Sequence, residues 1–375
     1  MRVGIFLPKA FRRYSIDFDG YATEMVSSGH EPVVICPANE HPDFSLPLVV
    51  YTEGEAAGVD FWKSLHLDRV IVMTWFRHPE IFRAIRDAGI RIINRADSDG
   101  LVSARVFPGS AWMRFVHPCR GPVDFLRRFR HFLNWYFSHS KAHDAGIIGI
   151  LDLSDRVVVE TKPFLENFER FLRFHRRADL LDRFSIVPHS VPDAFLSGPL
   201  PAGRPARIFC SGRWDDDQKN APLLAATIPL LRGTHPETEF LIAGYGVEEA
   251  FAGLAARHPR VRLLGLMERP DLPEILSGCR FLLSSSRWES HPIGALEALC
   301  CGCTVVATPV PGFEDIVAGA RYGTLSRGHS AGMLTAAAGG ELRLWSEGRR
   351  NAGEIASHWR AEVSNKTVVA ALLSQ

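Results

Sequence analysis

The chain has 375 residues, too many for one ordinary core and suited to two domains of about 180 residues each. Apolar residues make up 46% of it, and 24 phenylalanines add enough bulk for two buried sheets. Lys and Arg number 43 against 42 Asp and Glu, a formal charge of +1, so the chain has no general pull toward nucleic acid and none is expected as a partner.

The start, Met1-Arg-Val-Gly-Ile-Phe-Leu-Pro8, reads as a first strand. It lacks the charge-then-apolar layout of a signal peptide. No apolar run approaches the roughly 18 residues of a membrane span. The expectation is a soluble or peripheral cytoplasmic protein. Apolar runs at 3–7, 32–36, 70–73, 91–94 and 156–159 predict N-terminal strands, and helical patterns between them predict parallel sheets covered by helices. Residues 111–144 interrupt this scheme. They interleave Trp112, Phe115, Phe125, Phe129, Phe132, Trp135, Tyr136 and Phe137 with Arg114, Arg120, Arg127, Arg128, Arg130 and Lys141. Residues 162–183 repeat the mixture in diluted form, with Phe164, Phe168, Phe171 and Phe174. Two readings stand side by side: helices lying in a lipid headgroup layer, or amphipathic core helices with a solvated basic face.

The stretch at 196–205 is dense in Pro and Gly and reads as a linker. It separates an N-terminal domain, 1–197, from a C-terminal one, 206–353, with strands predicted at 207–210, 239–243, 262–264, 280–284 and 304–307. The tail 354–375 reads as one closing helix. Seven cysteines, an odd number, argue against a disulfide framework. Cys300-Cys-Gly-Cys303 has no second pair to complete a zinc site and reads as small residues packed at a helix end.

The segment from Arg287 to Pro309 is the most informative. Glu289 and Glu297 stand eight residues apart across a predicted helix start, with Ser290 as its cap, Pro292 in its first turn and Gly302 at its end. If all of it were helical, the two carboxylates would lie about 12 Å apart along the axis. A helix start between them offers N–H groups and a positive dipole end to a diphosphate. Upstream, Arg207-Ile-Phe-Cys-Ser-Gly212-Arg213 runs from strand into glycine turn, and Lys219 follows. Arg213 can chelate phosphate oxygens with its planar fork and Lys219 can act as a point charge. Ion pairs with Asp215, Asp216 or Asp217 are the alternative for either cation.

The order Ser-Gly-Arg…Lys-Asn, Phe240-Leu-Ile-Ala-Gly-Tyr-Gly246, Val261-Arg-Leu-Leu-Gly265 and Glu289-x7-Glu297 resembles the retaining glycosyltransferases of family 4 over about residues 205–320. A weaker likeness covers 20–37 and 185–195. The resemblance implies the GT-B fold, two doubly wound, Rossmann-like α/β domains facing across a cleft, with the closing helix packed back on the first. It implies transfer of a hexose from a UDP- or GDP-linked sugar to a hydroxyl of a glycan or lipid-linked acceptor, with no metal and no other cofactor. Relatives that build lipid-linked glycans dock on membranes, which favours the lipid reading of 111–144 and 162–183.

Carried across residue by residue, Glu289 meets the donor sugar and Glu297 the ribose. Arg213 and Lys219 hold the diphosphate, with Gly212 in their turn. Gly265 and Leu266 sit by the base, and Gly312 completes the phosphate pocket. Ser290, His291 and Ile293 form the loop and helix start beside the donor, and Gly20 is what remains of an N-terminal glycine loop, with Asp19 as an acceptor contact. Two departures stand out. Ser290-His-Pro replaces the usual Gly-Phe-Gly, and Pro292 has no N–H to give. His291 either supplies a replacement contact or is merely packed. Where relatives carry a histidine near the reaction centre, this chain has Asp97 and Asp99, either an acceptor-activating carboxylate or a turn residue. Two rivals share the architecture: a nucleotide-sugar epimerase and a non-catalytic scaffold of a glycan-assembly complex.

Overall fold

A computed structural model describes the chain except residues 13–17, 41–43, 74–77, 117, 118, 120, 199, 202, 318 and 375. Arg120 and the side chain of Asp19 lie outside the described residues. The chain divides into two units, Met1–Pro188 with Val369–Gln375, and His189–Val368.

The first unit is built on β1 (Arg2–Phe6), β2 (Glu31–Cys36), β3 (Leu48–Val50), β4 (Arg69–Met73), β5 (Arg91–Arg95), β6 (Arg156–Val159) and β7 (Phe184–Ile186). They form one sheet in the order β3-β2-β1-β4-β5-β6-β7, every pair parallel. Val70, Ile71 and Val72 are all fully buried. Such unbroken apolar runs are what a parallel sheet covered on both faces needs. The edge strands β3 and β7 are three residues each, too short to carry a sequence pattern, and the expected list lacks them.

The helices of this unit include α1 (Phe18–Ser27), α2 (Pro79–Asp87), α3 (Pro108–Phe115), α4 (Pro122–Ser138), α5 (Ser140–Leu153) and α6 (Lys162–Phe174). Four of them, α2, α3, α4 and α6, open with proline in the first turn, where its missing N–H costs nothing. The aromatic face of 162–183 proves to be core: Phe164, Phe168 and Phe171 recur at helical spacing and are buried, leaving Phe174 half exposed. Segment 111–144 differs. Phe132 packs with Ala111 and Val116, while Val123 (82% exposed), Leu126 (63%) and Phe137 (76%) stay in solvent.

The second unit repeats the plan with β8 (Arg207–Ser211), β9 (Glu239–Ala243), β10 (Val261–Gly265), β11 (Phe281–Ser284), β12 (Thr304–Ala307) and β13 (Gly323–Leu325), ordered β10-β9-β8-β11-β12-β13 and parallel throughout. The flanking helices are α7 (Ala221–Thr234), α8 (Val247–Arg257), α9 (Leu272–Ser277), α10 (Ile293–Cys300), α11 (Pro311–Val317), α12 (Ala331–Ser346), α13 (Ala352–Glu362) and α14 (Asn365–Leu373). Side chains alternate between two cores. Ile208, Cys210, Ile242 and Leu283 pack on α7, α8 and α12, and Phe209, Leu241, Leu282 and Val305 on α10, α11 and α13. Val191 and Phe195, ahead of the expected linker, are fully buried in this second core.

The tail corrects one expectation. It is two helices, not one: α13 ends before buried Val363, whose carbonyl accepts from Val191 N at 2.9 Å. Ser364 Oγ then receives the Thr367 N–H at 3.2 Å and starts α14 afresh. The last residues belong to the first unit, where Arg69 Nη1 donates to Leu373 O (2.9 Å) and Arg156 Nη1 to Ala371 O (2.8 Å). Among the described residues no helix is long and apolar enough to cross a membrane.

Candidate functional site

The strand order reverses between β8 and β11, and in doubly wound sheets ligands bind outside the carboxyl ends of the strands at that point. The loops leaving β8 and β11 carry the residues the sequence singled out. Ser211-Gly212-Arg213 follow β8, and a short 3₁₀ turn at Asp217–Lys219 comes next, capped by Asp216, whose carboxylate accepts from Gln218 N at 3.0 Å. Asn220 follows at φ +52°, a left-handed position that asparagine tolerates.

Lys219 turns from its acidic neighbours to Glu289: Nζ donates to Oε1 at 2.6 Å. Ser286 Oγ donates to the same oxygen at 2.6 Å, and Gln218 Nε2 reaches Oε2 at 3.2 Å. Gln218 also holds the loop, donating to Trp288 O at 2.8 Å and accepting from Arg287 N at 2.8 Å. Glu289 is only 8% exposed, so its charge needs these donors. An ammonium carries three N–H donors; one is on Glu289, which leaves others for a second anion. A Cβ at Gly212 would lie 3.0 Å from Lys219 Cγ, so the glycine lets the lysine stem cross the turn. Arg213 is exposed and has no ion-pair partner among the described residues.

Glu297 sits on α10, 6% exposed, and accepts from Arg269 Nη2 at 2.5 Å. Arg269 stands in a turn after β10. Ser286, Gln218 and Arg269 were not singled out in the sequence. Ser286 was visible only as part of a small polar strand end, and Arg269 only as one more arginine beyond Gly265.

Two local expectations are corrected. Ser290 does not cap α10; the cap position is Pro292 (φ −75°, ψ 88°), with no side-chain bond. The helix therefore begins at Ile293, and only Glu297 of the two glutamates is helical. Gly302 does end it, at φ +76°, its N–H donating to Leu299 O at 2.8 Å. Ser290 is half-buried, and the buried His291 ring lies 5.3 Å from that of His189. Gly312 opens space for the loop: a Cβ there would lie 2.7 Å from Glu289 O and 2.8 Å from Ser290 O. Gly265 has φ +71° and Leu266 is 75% exposed. A cavity of about 610 Å³ lies beside them, lined by Trp214, Asp215, Tyr245, Glu248 and Leu266.

Gly20 and Asp97 belong to the first unit, Gly20 in α1 and Asp97 just beyond β5 at φ +39°. Asp99 is a loop anchor: Oδ1 accepts from Leu101 N at 3.1 Å and Oδ2 pairs with Arg114.

Two α/β units with parallel sheets, each reversing at one switch point, are the plan that this chain shares with solved glycosyltransferases of GT-B fold. The sequence model of the family described as Glycosyl transferases group 1 matches residues 205–340. Phosphatidyl-myo-inositol mannosyltransferase of Mycolicibacterium smegmatis is 26% identical over 345 residues, 87% of this chain and 80% of that protein. One component of human phosphatidylinositol N-acetylglucosaminyltransferase is 33% identical over 138 residues, 36% of this chain. That match spans only 28% of the human protein's length. Among solved structures, sucrose-phosphate synthase from Thermosynechococcus elongatus superposes with TM-score 0.67 at 14% identity, covering 100% of this chain and 98% of that one. Anabaena HepE, solved with UDP-glucose, gives TM-score 0.64 at 14% identity over 100% and 98%. Together these matches support a glycosyltransferase of GT-B fold.

Proposed function

We propose that the chain is a retaining glycosyltransferase moving a hexose from a UDP- or GDP-linked sugar to a hydroxyl of a glycan or lipid-linked acceptor. The observation that carries this reading is the Lys219–Glu289 pair at the switch point of the second unit, 2.6 Å long, with the carboxylate nearly buried and the lysine part-exposed. One cation there touches the carboxylate assigned to the sugar and keeps donors for the diphosphate. Arg213, exposed beside Gly212, supplies the second positive charge as the diphosphate departs. Glu289 holds the sugar hydroxyls through Oε2, the less occupied oxygen, while Glu297, fixed by Arg269, takes the ribose. The cavity beside Gly265 and Leu266 receives the base. Ser290, His291 and Ile293 shape the loop and helix start against the donor, with Pro292 giving no N–H. Gly20 and Asp97 act from the first unit, Asp97 orienting the acceptor hydroxyl. The two cations do the work a metal does elsewhere, so transfer is metal-independent.

The exposed apolar side chains of α4 among its arginines suit docking on the cytoplasmic face of an anionic bilayer, where a lipid-linked acceptor would be met. The two inositol-lipid relatives, named for transfer to phosphatidylinositol, favour an acceptor of that kind over a free sugar.

The test is thermal stabilisation of the purified chain by UDP, GDP, ADP, dTDP and CMP, followed by donor turnover with and without acceptor. A nucleotide at about 100 times its dissociation constant adds roughly 2.7 kcal/mol of stability. The expected result is a shift with one diphosphate, lost in Arg213→Ala and Lys219→Ala, and turnover only with acceptor. Donor consumed without acceptor would replace the reading with an epimerase, and no shift with any nucleotide would remove it.

A further inference from the structure

A second cavity, of about 500 Å³, opens at the other end of the second unit's sheet, where the chain enters β8, β11 and β12. Arg204, Arg280, Arg350, Trp345 and Asn351 line it. Its size falls within the roughly 300–1,000 Å³ of small-molecule sites. None of these residues takes part in the donor site.

The charges around it do not balance. Arg350 is neutralised by fully buried Glu341, Nε to Oε1 at 2.7 Å and Nη2 to Oε2 at 2.8 Å. Arg204 and Arg280 have no ion-pair partner among the described residues. Arg204, 9% exposed, donates through Nη1 and Nη2 to Cys279 O and Cys301 O, and its guanidinium lies 5.7 Å from the Trp345 ring. The carbonyl ends of α9 and α10 offset part of its charge, but its Nε is buried with no acceptor. Arg280 donates through Nε to Arg204 O at 3.2 Å and through Nη1 to Ser346 Oγ at 3.0 Å; its Nη2 has no acceptor among the described residues. Burial holds the Arg280 guanidinium below its ordinary value, and Glu237 counters from beyond ion-pair distance. The eleven-residue helix α13 also starts here, but its first amides are already capped: Asn351 Oδ1 accepts from Gly353 N at 3.0 Å and Glu354 N at 3.2 Å. The cavity thus holds two guanidiniums that carbonyls and a distant carboxylate balance only in part, with no carboxylate at ion-pair distance from either among the described residues.

We propose that this cavity is a binding site for a phosphate-bearing small molecule, held by Arg280 with the charge of Arg204 behind it, against the Trp345 ring. Arg280 Nη2 can donate to a phosphate oxygen, and the charge of Arg204, whose own Nη groups are engaged with Cys279 O and Cys301 O, reinforces it at longer range; the volume leaves room for more than the phosphate itself. Its location joins it to the donor site through one element. Helix α10 carries Glu297 and ends at Cys301, whose carbonyl Arg204 grips.

The test is calorimetric binding of inorganic phosphate and of glucose 6-phosphate to the full chain. It is run on the natural sequence, on Arg280→Ala and Arg280→Lys, and on Arg213→Ala/Lys219→Ala, which removes the cations of the donor site. Arg280 is the residue to change because Arg204 secures two helix ends and its loss threatens folding. The expected result is saturable binding that persists in the double variant. It should weaken about tenfold in Arg280→Ala, the loss that goes with one charge-assisted hydrogen bond. Arg280→Lys, keeping charge and melting temperature but not the fork, should weaken it as well. Tighter binding of the ester would assign a sugar phosphate, and equal binding the free ion. Binding that vanishes in the double variant, survives intact in Arg280→Ala, or never saturates would overturn the site. Nucleotide stabilisation should be unchanged in Arg280→Ala, so failure here and failure of the transferase reading are separate results.

Discussion

Lys219 Nζ and Glu289 Oε1 stand 2.6 Å apart although 70 residues separate them, because the loops after β8 and β11 leave neighbouring strands at the point where the sheet order reverses. In the proposed donor site the pair would join a cation for phosphate to a carboxylate for hydroxyls. Removing Lys219 leaves a nearly buried carboxylate with only Ser286 and Gln218 as donors. Lys219→Ala should therefore lower stability by about 1–3 kcal/mol and abolish nucleotide stabilisation. Lys219→Ala/Glu289→Gln should recover most of the stability and none of the binding. Glu289→Ala alone should end transfer while leaving nucleotide binding largely intact. Denaturant titration and calorimetry of the natural chain, Lys219→Ala, Glu289→Gln and Lys219→Ala/Glu289→Gln close a double-mutant cycle; additive losses would show that the pair is not coupled.

Arg269 acts through Glu297. With Glu297 only 6% exposed, the guanidinium both neutralises it and fixes its rotamer. Arg269→Ala should weaken nucleoside diphosphate binding about tenfold, the cost of one charged hydrogen bond. Binding of inorganic pyrophosphate, which has no ribose, should hardly change. Equal loss for both ligands would place Arg269 on the phosphates instead.

Gly312 is where the Glu289 loop and the first turn of α11 come closest. A methyl there would meet two backbone carbonyls, of Glu289 and Ser290, at 2.7 and 2.8 Å. Backbone cannot swing aside as a side chain does, so Gly312→Ala should cost about 1–3 kcal/mol and displace Glu289. The check is melting temperature with turnover: a fully active, fully stable Gly312→Ala protein would contradict the packing described.

Much of this was legible in the sequence where local chemistry decides the outcome. The central strands are continuous apolar runs, and the motifs that carry Arg213, Lys219 and Glu289 follow predicted strands that the fold sets side by side. Misreadings came where tertiary packing or one residue's covalent geometry decides. Pro292 itself takes the cap position, so α10 starts two residues later than a Ser290 cap implies. The aromatic stripe at 162–183 has the composition of an interfacial helix, yet three of its phenylalanines at helical spacing are core. Arg269 could not be chosen among 43 basic residues, because its partner is 28 positions away and depends on the sheet being built.

The cysteines make a chemical prediction. Six of the seven are buried and only Cys119 is exposed. Burial pushes the Cys301 thiol up to about 12, and lifts Cys303 to about 11 although neighbouring Arg204 pulls it down. Thiolate is the reactive form, so the cluster at 300–303 should be inert near neutral pH. Alkylation of the native protein should label Cys119 alone, and alkylation in denaturant all seven. Rapid native labelling at Cys300, Cys301 or Cys303 would show that the end of α10 opens.

Glu239 gives the acid side of the stability profile. It begins β9, where burial raises its carboxyl but Arg207 Nε, 2.7 Å away, and Arg262 Nη1, at 3.4 Å, carry it below the ordinary value of 4.5. A carboxylate depressed in the folded state binds its proton more readily in the unfolded chain. Its contribution is therefore complete above the ordinary carboxylate range and is lost as pH falls through the folded value. The side chain is 20% exposed, so solvent screening limits the contribution to about 1 kcal/mol. Glu239→Gln should therefore be less stable than the natural chain near neutrality, and the gap should close as pH drops from about 5 toward 3. Chemical denaturation at a series of pH values reads this directly; a gap that widened in acid would mean that Glu239 is stabilised in its protonated form and that the Arg207 pair has the opposite sign.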